Sequence, residues 1–386
     1  MQYRKFGKTD WQTSVLGFGY MRLPTIGGDS GKIDQEKAEE MVNTAIEGGV
    51  NYFDTAYVYH EQNSETSLGK ALKGQRDKVH IATKLPIWLC KESADFDRML
   101  DEELERLQTD HIDNYLLHAL NKNSWETVKK LNLIERGEAA IADGRIHNLG
   151  FSFHDNLETF KNIVDGYDKW DFCQIQYNYL DTEVQAGTEG LQYAANRGIA
   201  IVIMEPLRGG KLALDLPPTR PLWESAPQKR TPADWALQWV WNHPEVAVLL
   251  SGMSTLEQVQ QNLVSASQSK VNALSKEELV LINQVKDTLN SRSPIPCTAC
   301  EYCLPCPSGV NIPRNIDVYN RVAMFDDIEG STTEYTKFID DAQKAAQCIQ
   351  CDECLSKCPQ SIEISSWMPV IEDVLGKNQP YQMTLK

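Results

Sequence analysis

Asn51-Tyr52-Phe53-Asp54-Thr55-Ala56-Tyr57-Val58-Tyr59 leaves a short apolar run on a carboxylate and reaches a tyrosine five residues later. Read as a strand over Val50–Phe53, it delivers Asp54 and Tyr59 just beyond its C-terminal end. The pattern repeats downstream. Ile81-Ala82-Thr83-Lys84 ends the next run on a lysine, and Tyr115-Leu116-Leu117-His118 ends the one after on a histidine. Three successive strands with polar groups at their C-terminal ends match the face on which parallel barrels do chemistry. Each residue alone has a bland explanation: a solvated lysine, a satisfied core histidine, a surface tyrosine. Their order and placement give them weight together.

The flanking sequence extends the same rhythm. Apolar runs at Ser14–Met21, Val50–Phe53, Val79–Thr83, Ile112–Leu117, Ile146–Phe151, Phe172–Gln176, Ile199–Met204 and Val246–Leu250 predict eight strands. Between them, Gln35–Glu47, Asp95–Gln108, Trp125–Asp143, Leu157–Val164 and Thr255–Ala266 carry helical periodicity. Eight strand–helix units in about 285 residues predict an α/β fold, a (β/α)₈ TIM barrel, rather than an open doubly wound sheet. Gly17 and Gly19 do not make the glycine-rich dinucleotide fingerprint that the open sheet requires. The proline-rich connection from about Leu207 to Arg230 is too long for a plain turn and predicts an active-site lid.

Ser291–Pro296 reads as a linker, which sets domains of 1–290 and 291–386. Eight of the ten cysteines follow it, between Cys297 and Cys358; Cys90 and Cys173 stand apart and read as packing residues. Cys297, Cys300, Cys303 and Cys306-Pro307 are echoed by Cys348, Cys351, Cys354 and Cys358-Pro359. Apolar pairs follow each run at the same offset, Val310 with Ile312 and Ile362 with Ile364. Thiolates two residues apart can wrap a compact inorganic core, whereas structural zinc gives no reason for three in one tight run, twice, each closing on Cys-Pro.

This pattern resembles a bacterial two-cluster ferredoxin, which implies two [4Fe–4S] clusters with crossed ligands. One would take Cys297, Cys300, Cys303 and Cys358; the other would take Cys348, Cys351, Cys354 and Cys306. The interval between the runs, with helical patterns at Pro313–Asp326 and Thr333–Ala346, is similar to helical ferredoxin domains. A small, mostly α-helical ferredoxin-like domain is therefore expected after the barrel.

The barrel half resembles the aldo-keto reductases, from Tyr3-Arg4-Lys5-Phe6-Gly7-Lys8-Thr9 through Gly17–Pro24 and Asn51–Tyr59 to about Leu263. The resemblance implies a tetrad of Asp54, Tyr59, Lys84 and His118, with Tyr59 as general acid and base in hydride transfer between a nicotinamide and a carbonyl. It also implies cofactor contacts. Tyr20, Met21 and Asp54 would border the cofactor, with Ser152 and Gln174 on the nicotinamide carboxamide and Met204 over its ring. Pro206, Leu207, Arg208 and Lys211 would line the pyrophosphate, and Gly252, Ser254, Gln258, Gln261 and Asn262 the adenosine end. NADP is the family default. With Gln258 where a basic residue often grips the 2′-phosphate, NAD stays open.

A formal charge of −16 excludes a nucleic-acid or anionic-membrane surface, since phosphates would be repelled. No apolar run is long enough to insert in a membrane, and a cytoplasmic location is expected. The expected partners are a small carbonyl or alcohol substrate and a redox partner protein. A hydride carries two electrons and a cluster accepts one. Three functions are thus open: a carbonyl reductase with clusters in a structural, sensing or electron-transfer role; an electron-transfer protein using the barrel as a nicotinamide-binding module with an external converter; or a nicotinamide-binding redox sensor with little turnover, which the intact Asp54, Tyr59, Lys84 and His118 disfavour.

Overall fold

The computed structural model describes residues 1–297, 299 and 302–385. It opens on a hairpin, β1 (Tyr3–Lys5) paired antiparallel with β2 (Gln12–Ser14). Barrel strands and helices then alternate in order: β3 (Leu16–Gly19), α1 (Gln35–Glu47), β4 (Tyr52–Asp54), α2 (Ser64–Ala71), β5 (His80–Leu85) and α3 (Asp95–Leu107). Next come β6 (Ile112–Leu120), α4 (Lys122–Lys130), α5 (Leu133–Ala142), β7 (Ile146–Phe153), α6 (Leu157–Asp165), β8 (Phe172–Gln176) and α7 (Gly187–Ala195). The series ends with β9 (Ala200–Met204), α8 (Arg220–Ser225), α9 (Pro232–Trp241), β10 (Val246–Ser251) and α10 (Leu256–Ser267).

Among the described residues, β3 to β10 close into a barrel in which β10 returns to pair in parallel with β3. The eight expected strands are therefore present. The hairpin was not expected, and Phe6 at its turn explains its place. Its ring packs on Trp11, Tyr52 and Phe172 at centroid distances of 4.8, 5.9 and 5.5 Å. Tyr52 and Phe172 begin their strands, so Phe6 fills the N-terminal mouth of the barrel, opposite the face that carries Asp54 and Lys84.

The helices form where sequence periodicity and caps agree. Phe96, Met99, Leu100, Glu103 and Leu107 make the buried stripe of α3, spaced as one helical face. Asp34 and Thr255 cap α1 and α10 by accepting from Lys37 N and Gln258 N. The single helix expected over Trp125–Asp143 is instead two, α4 and α5. Asn132 takes a left-handed conformation (φ 53°), which asparagine tolerates better than most residues, and the chain turns there. The Leu207–Arg230 connection is also not structureless. Within it Pro221 starts the short α8.

The chain divides into two compact units: Met1–Ala213 with Arg230–Lys276, and Leu214–Lys229 with Glu277–Lys386. The second unit is helical: α11 (Lys276–Ser291, nearly all of it in this unit), α12 (Ile312–Phe325), α13 (Ile328–Phe338) and α14 (Ile364–Ile371), the last running into a π-turn over Glu372–Gly376. α13 lies earlier than the Thr333–Ala346 expected, because Asp327 caps it by accepting from Gly330 N and Ile339 then turns extended to bury its side chain. The two apolar pairs of the cysteine repeat, Val310 with Ile312 and Ile362 with Ile364, are all buried in one core with Ile316, Tyr319 and Met368.

Candidate functional site

Asp54 ends β4 and Lys84 sits near the end of β5; these strands pair directly, with Asp54 beside Ala82. Lys84 Nζ donates to Asp54 Oδ1 at 2.7 Å and to the Thr55 carbonyl at 2.5 Å, and it lies 4.9 Å from the centroid of the Tyr59 ring. His118, near the end of β6, presents its ring edge-on to Tyr59, centroids 6.1 Å apart. The structure thus brings together Asp54, Tyr59, Lys84 and His118. Tyr59 is fixed from behind by the turn that follows it, where His60 and Glu61 take left-handed conformations (φ 50° and 53°). His60 Nε2 accepts from Leu23 N and Glu61 accepts from the Ser30 hydroxyl, which holds that strained turn in place.

Electrostatics separate the roles of these groups. Burial pushes the Tyr59 phenol above its ordinary value, and Lys84 pulls against it. Lys84 is raised: burial works against its charge, but Asp54 and Tyr59 outweigh it, so the ammonium persists. Burial, with help from Lys84 and His154, drives His118 well below its ordinary value and leaves a neutral imidazole. The site therefore holds a protonated phenol, a fixed cation behind it and a neutral hydrogen-bonding ring.

Sequence reasoning missed an aromatic residue beside these four. Trp88, in the short turn after β5, is half exposed and packs its ring 5.1 Å from that of His118. Its signal was Leu85-Pro86-Ile87-Trp88, an aromatic placed by a proline turn just past a strand end on the face that carries Asp54 and Lys84.

The cofactor candidates divide. Ser152 accepts from Ala119 N at 2.7 Å, which leaves its hydroxyl proton to donate, and so braces the backbone just after His118. Gln174 is buried, its amide nitrogen 3.8 Å from Met204 Sδ and its Oε1 without a hydrogen-bond partner among the described residues. Asp54 Oδ2 and His118 Nδ1 are orphaned in the same way. An unpaired buried amide oxygen beside a hydroxyl donor and a thioether suits a nicotinamide carboxamide, which offers both a donor and an acceptor. At the other end, Asn262 donates to Ser251 Oγ, Ser254 Oγ donates to the Arg22 carbonyl, and Gln258 accepts from Ser254 N. Gln261 is exposed and bonded to Glu257, Lys211 starts a 3₁₀ turn, and Pro206 and Leu207 lead into it.

Two expectations change. The Tyr20 side chain is fully buried with its hydroxyl toward Ser67, so only its backbone, hydrogen-bonded to the Asp54 carbonyl, reaches the site; Met21 beside it is exposed. Arg208, expected at the pyrophosphate, is drawn to a carboxylate. Its Nε lies 3.0 Å from Asp181 Oδ2, and that carboxylate is oriented by the amides of Gln176 and Asn178. A carboxylate so held offsets part of the guanidinium charge.

In the second unit, α12 positions both cysteine runs. Asn320 bonds the backbone of Ile295 through N–H and carbonyl alike, just before Cys297. Asn315 accepts from Ala345 N and donates to the Gln343 carbonyl, just before Cys348. Cys306 lines one cavity with Cys348, Cys351 and Cys354, and Cys303 borders it as well. Burial raises the Cys354 thiol, with like charge from Cys348, Cys351 and Cys306 adding to it. Ala299 N and Gln350 N point at Cys297 and Cys348 sulfurs at 3.5 and 3.4 Å, equivalent amides in the two runs. Amides aimed at convergent sulfurs suit an iron–sulfur core. Cys358 packs against the same hydrophobic core, and Cys300 lies outside the described residues. Cys90 and Cys173, in the barrel unit, are buried, and burial pushes the Cys90 thiol up to about 11.

The family model for the aldo/keto reductase family matches residues 15–287. The chain belongs to the aldo/keto reductase family. A second model, the 4Fe-4S dicluster domain, matches residues 296–363, so this aldo/keto reductase carries a ferredoxin-type domain after its barrel. L-galactose dehydrogenase of Arabidopsis thaliana is 25% identical, spanning 75% of this chain and 96% of that protein. The NADH-specific methylglyoxal reductase of Escherichia coli is 24% identical over 73% of this chain and 98% of its own length. Among solved structures, the holo aldo-keto reductase of Bacillus halodurans is 28% identical with a TM-score of 0.61, covering 74% of this chain and 96% of that one. A Klebsiella pneumoniae aldo-keto reductase in complex with NADPH shares the fold, at 23% identity and a TM-score of 0.61, over 73% of this chain and 93% of its own. Among the described residues, no helix is long and apolar enough to cross a membrane.

Proposed function

We propose that this aldo/keto reductase interconverts small aldehydes or ketones with their alcohols, using NADP or NAD, with Tyr59 as the general acid and base. The observation that carries the reading is the placement of Lys84, whose Nζ is 2.7 Å from Asp54 and 4.9 Å from the Tyr59 ring centroid. Bound nicotinamide supplies or accepts the hydride at the carbonyl carbon. Gln174 Oε1, Ser152 Oγ and the Met204 thioether would hold its carboxamide and ring.

In reduction, the carbonyl oxygen sits between Tyr59 and His118. Neutral His118 donates one hydrogen bond to it and does not compete as an acid. As negative charge develops on that oxygen, the Tyr59 phenol gives up its proton. Lys84 then stabilises the phenolate left behind, and Asp54 keeps Lys84 in place. In the oxidising direction the same proton returns from the alcohol to the phenolate. Trp88 forms an apolar wall beside His118, which suits a small substrate with an apolar side.

The eight cysteines would hold two [4Fe–4S] clusters, with Cys306 crossing to the second run and Cys358 to the first. The clusters would supply single-electron transfer to a redox partner protein, and none of the hydride chemistry above depends on them. For the cofactor, a similar protein is described as NADH-specific and a similar structure was solved with NADPH, so both belong in the test.

The experiment is anaerobic turnover of the full, cluster-loaded chain with a panel of small aldehydes and ketones and each cofactor. Tyr59→Phe should lower kcat by about 10²–10⁴-fold while cofactor affinity holds. A Tyr59→Phe enzyme as fast as the wild type would sink the reading.

A further inference from the structure

Opposite the catalytic face, β6 and β7 carry a cluster of imidazoles around one carboxylate. His111 immediately precedes β6 and lies two residues from Asp113, so both project to the same side of the strand. Ile112 pairs with Ile146 and Asn114 with Asn148, which sets Asp113 beside His147. His147 Nδ1 is 3.6 Å and His111 Nε2 is 3.7 Å from Asp113 Oδ1, and the three ligand atoms lie within 4.8 Å of one another.

We infer that His111, Asp113 and His147 form a binding site for one divalent transition cation of the zinc class, joining β6 to β7 at the N-terminal end of the barrel. The spacing is close to what such an ion needs. Zinc–nitrogen and zinc–oxygen bonds of about 2.0–2.2 Å at tetrahedral angles set neighbouring ligand atoms about 3.3–3.5 Å apart. Both imidazole nitrogens are within a few tenths of an ångström of that distance from Asp113 Oδ1.

The surroundings orient the ligands as metal sites do. Asp113 is buried and anchored through its other oxygen, which accepts from Arg76 Nη2 and from Ile81 N, each at 2.8 Å. Oδ1 is left facing the imidazoles. His111 Nδ1 lies 2.7 Å from Asp110 Oδ1, and a proton held there leaves the Nε2 lone pair toward Asp113. Two carboxylates, Asp110 and Asp113, offset the Arg76 guanidinium. His147 is half exposed and stacks on His111 with ring centroids 4.6 Å apart. To place its lone pair on the ion it must turn out of that stack, and it has room on the solvent side.

His80 stands just outside this triad. Its Nδ1 is 3.2 Å from the same Asp113 oxygen, but its ring is stacked on Trp11 at 3.8 Å. Three protein ligands leave a fourth position for water. Because the site sits at the end of the barrel where residues serve stability rather than chemistry, the cation acts as a staple between neighbouring strands.

The test is titration of Zn²⁺ alone into the full, cluster-loaded chain under anaerobic conditions, following heat and thermal midpoint and assaying iron before and after. Wild type, His147→Ala, His111→Ala and Asp113→Asn are compared. His147 is half exposed, so its alanine variant keeps the fold. The wild type should bind one ion more than His147→Ala and His111→Ala, or bind it about 100-fold tighter, with unchanged iron content. Only the wild type should gain thermal midpoint on adding zinc. Equal stoichiometry, affinity and midpoint shift in wild type and both histidine variants would overturn the site, as would no zinc uptake by the wild type.

Discussion

Lys84 Nζ lies 2.7 Å from Asp54 Oδ1 with the two side chains only 1% and 4% exposed. A pair so withdrawn from water depends on both members, because neither charge has solvent to fall back on. Asp54→Asn should cost about 3–5 kcal/mol of unfolding free energy, the usual cost of leaving one partner of a buried pair alone. Pairing it with Lys84→Met should recover part of that loss, since no orphaned charge remains. Denaturant unfolding of the two variants checks this, and an Asp54→Asn chain as stable as the wild type would mean the ion pair has no structural role.

His118 leads to a pH prediction. Burial depresses its folded value well below the ordinary 6.5, so between those two values the unfolded chain binds one more proton than the folded chain. Stability then rises with pH in this window: the neutral buried ring is fully tolerated above about 6.5, and stability is lost as pH falls below it. The slope for one proton is about 1.4 kcal/mol per pH unit. His118→Gln should remove that contribution, so the difference in stability between pH 6.5 and 5.5 should shrink by about 1 kcal/mol, the unfolded ring being only half protonated at 6.5. An unchanged difference would place the ring in a protonated state.

Gln174 offers a test of cofactor placement independent of turnover. Its Oε1 is buried without a hydrogen-bond partner among the described residues, and Gln174→Leu replaces the amide with an apolar group of similar size. One lost hydrogen bond of about 1–1.5 kcal/mol should weaken nicotinamide binding about tenfold, read from quenching of tryptophan fluorescence. Ser152→Ala should have a comparable effect and also loosen the backbone after His118, since Ser152 Oγ accepts from Ala119 N. Unaltered affinity in both variants would move the carboxamide elsewhere.

The parts of this molecule readable from sequence are those where chemistry and chain geometry share a period. Asp54, Lys84 and His118 were legible because each comes at or near the end of an apolar run, and parallel strands put such ends on one face. The cysteine runs were legible because their spacing repeats. What escaped depended on partners far away in sequence. Arg208 reads as a loop charge facing a phosphate, and its pairing with Asp181, held by Gln176 and Asn178, is not visible in the sequence. Tyr20 reads as lining a pocket, but packing turns it toward Ser67. Asn315 and Asn320 look like ordinary helical polar residues, and only the fold reveals them as the ties that present Cys348 and Cys297. The break at Asn132 turned on a single left-handed residue, which periodicity cannot register.

Cys306 gives the sharpest test of crossed ligation. It belongs to the first run in sequence, yet it lines a cavity with Cys348, Cys351 and Cys354 of the second. If ligands followed sequence alone, Cys306→Ala would perturb the cluster on Cys297, Cys300 and Cys303. With crossing, the cluster on the second run loses a ligand instead. The cleanest comparison is Cys306→Ala beside Cys358→Ala in the full chain, by iron content and electron paramagnetic resonance of the reduced protein. Two four-iron clusters hold about eight irons, and each variant should fall towards about four or convert one cluster to a three-iron form. The two variants should leave different residual signals, Cys306→Ala sparing the signal that Cys297→Ala removes. If Cys306→Ala and Cys297→Ala instead abolish the same signal, the ligands are not crossed. Carbonyl reduction by the barrel should persist in Cys306→Ala at near the wild-type rate, since the proton transfer proposed for Tyr59, Lys84 and His118 uses no cluster electron.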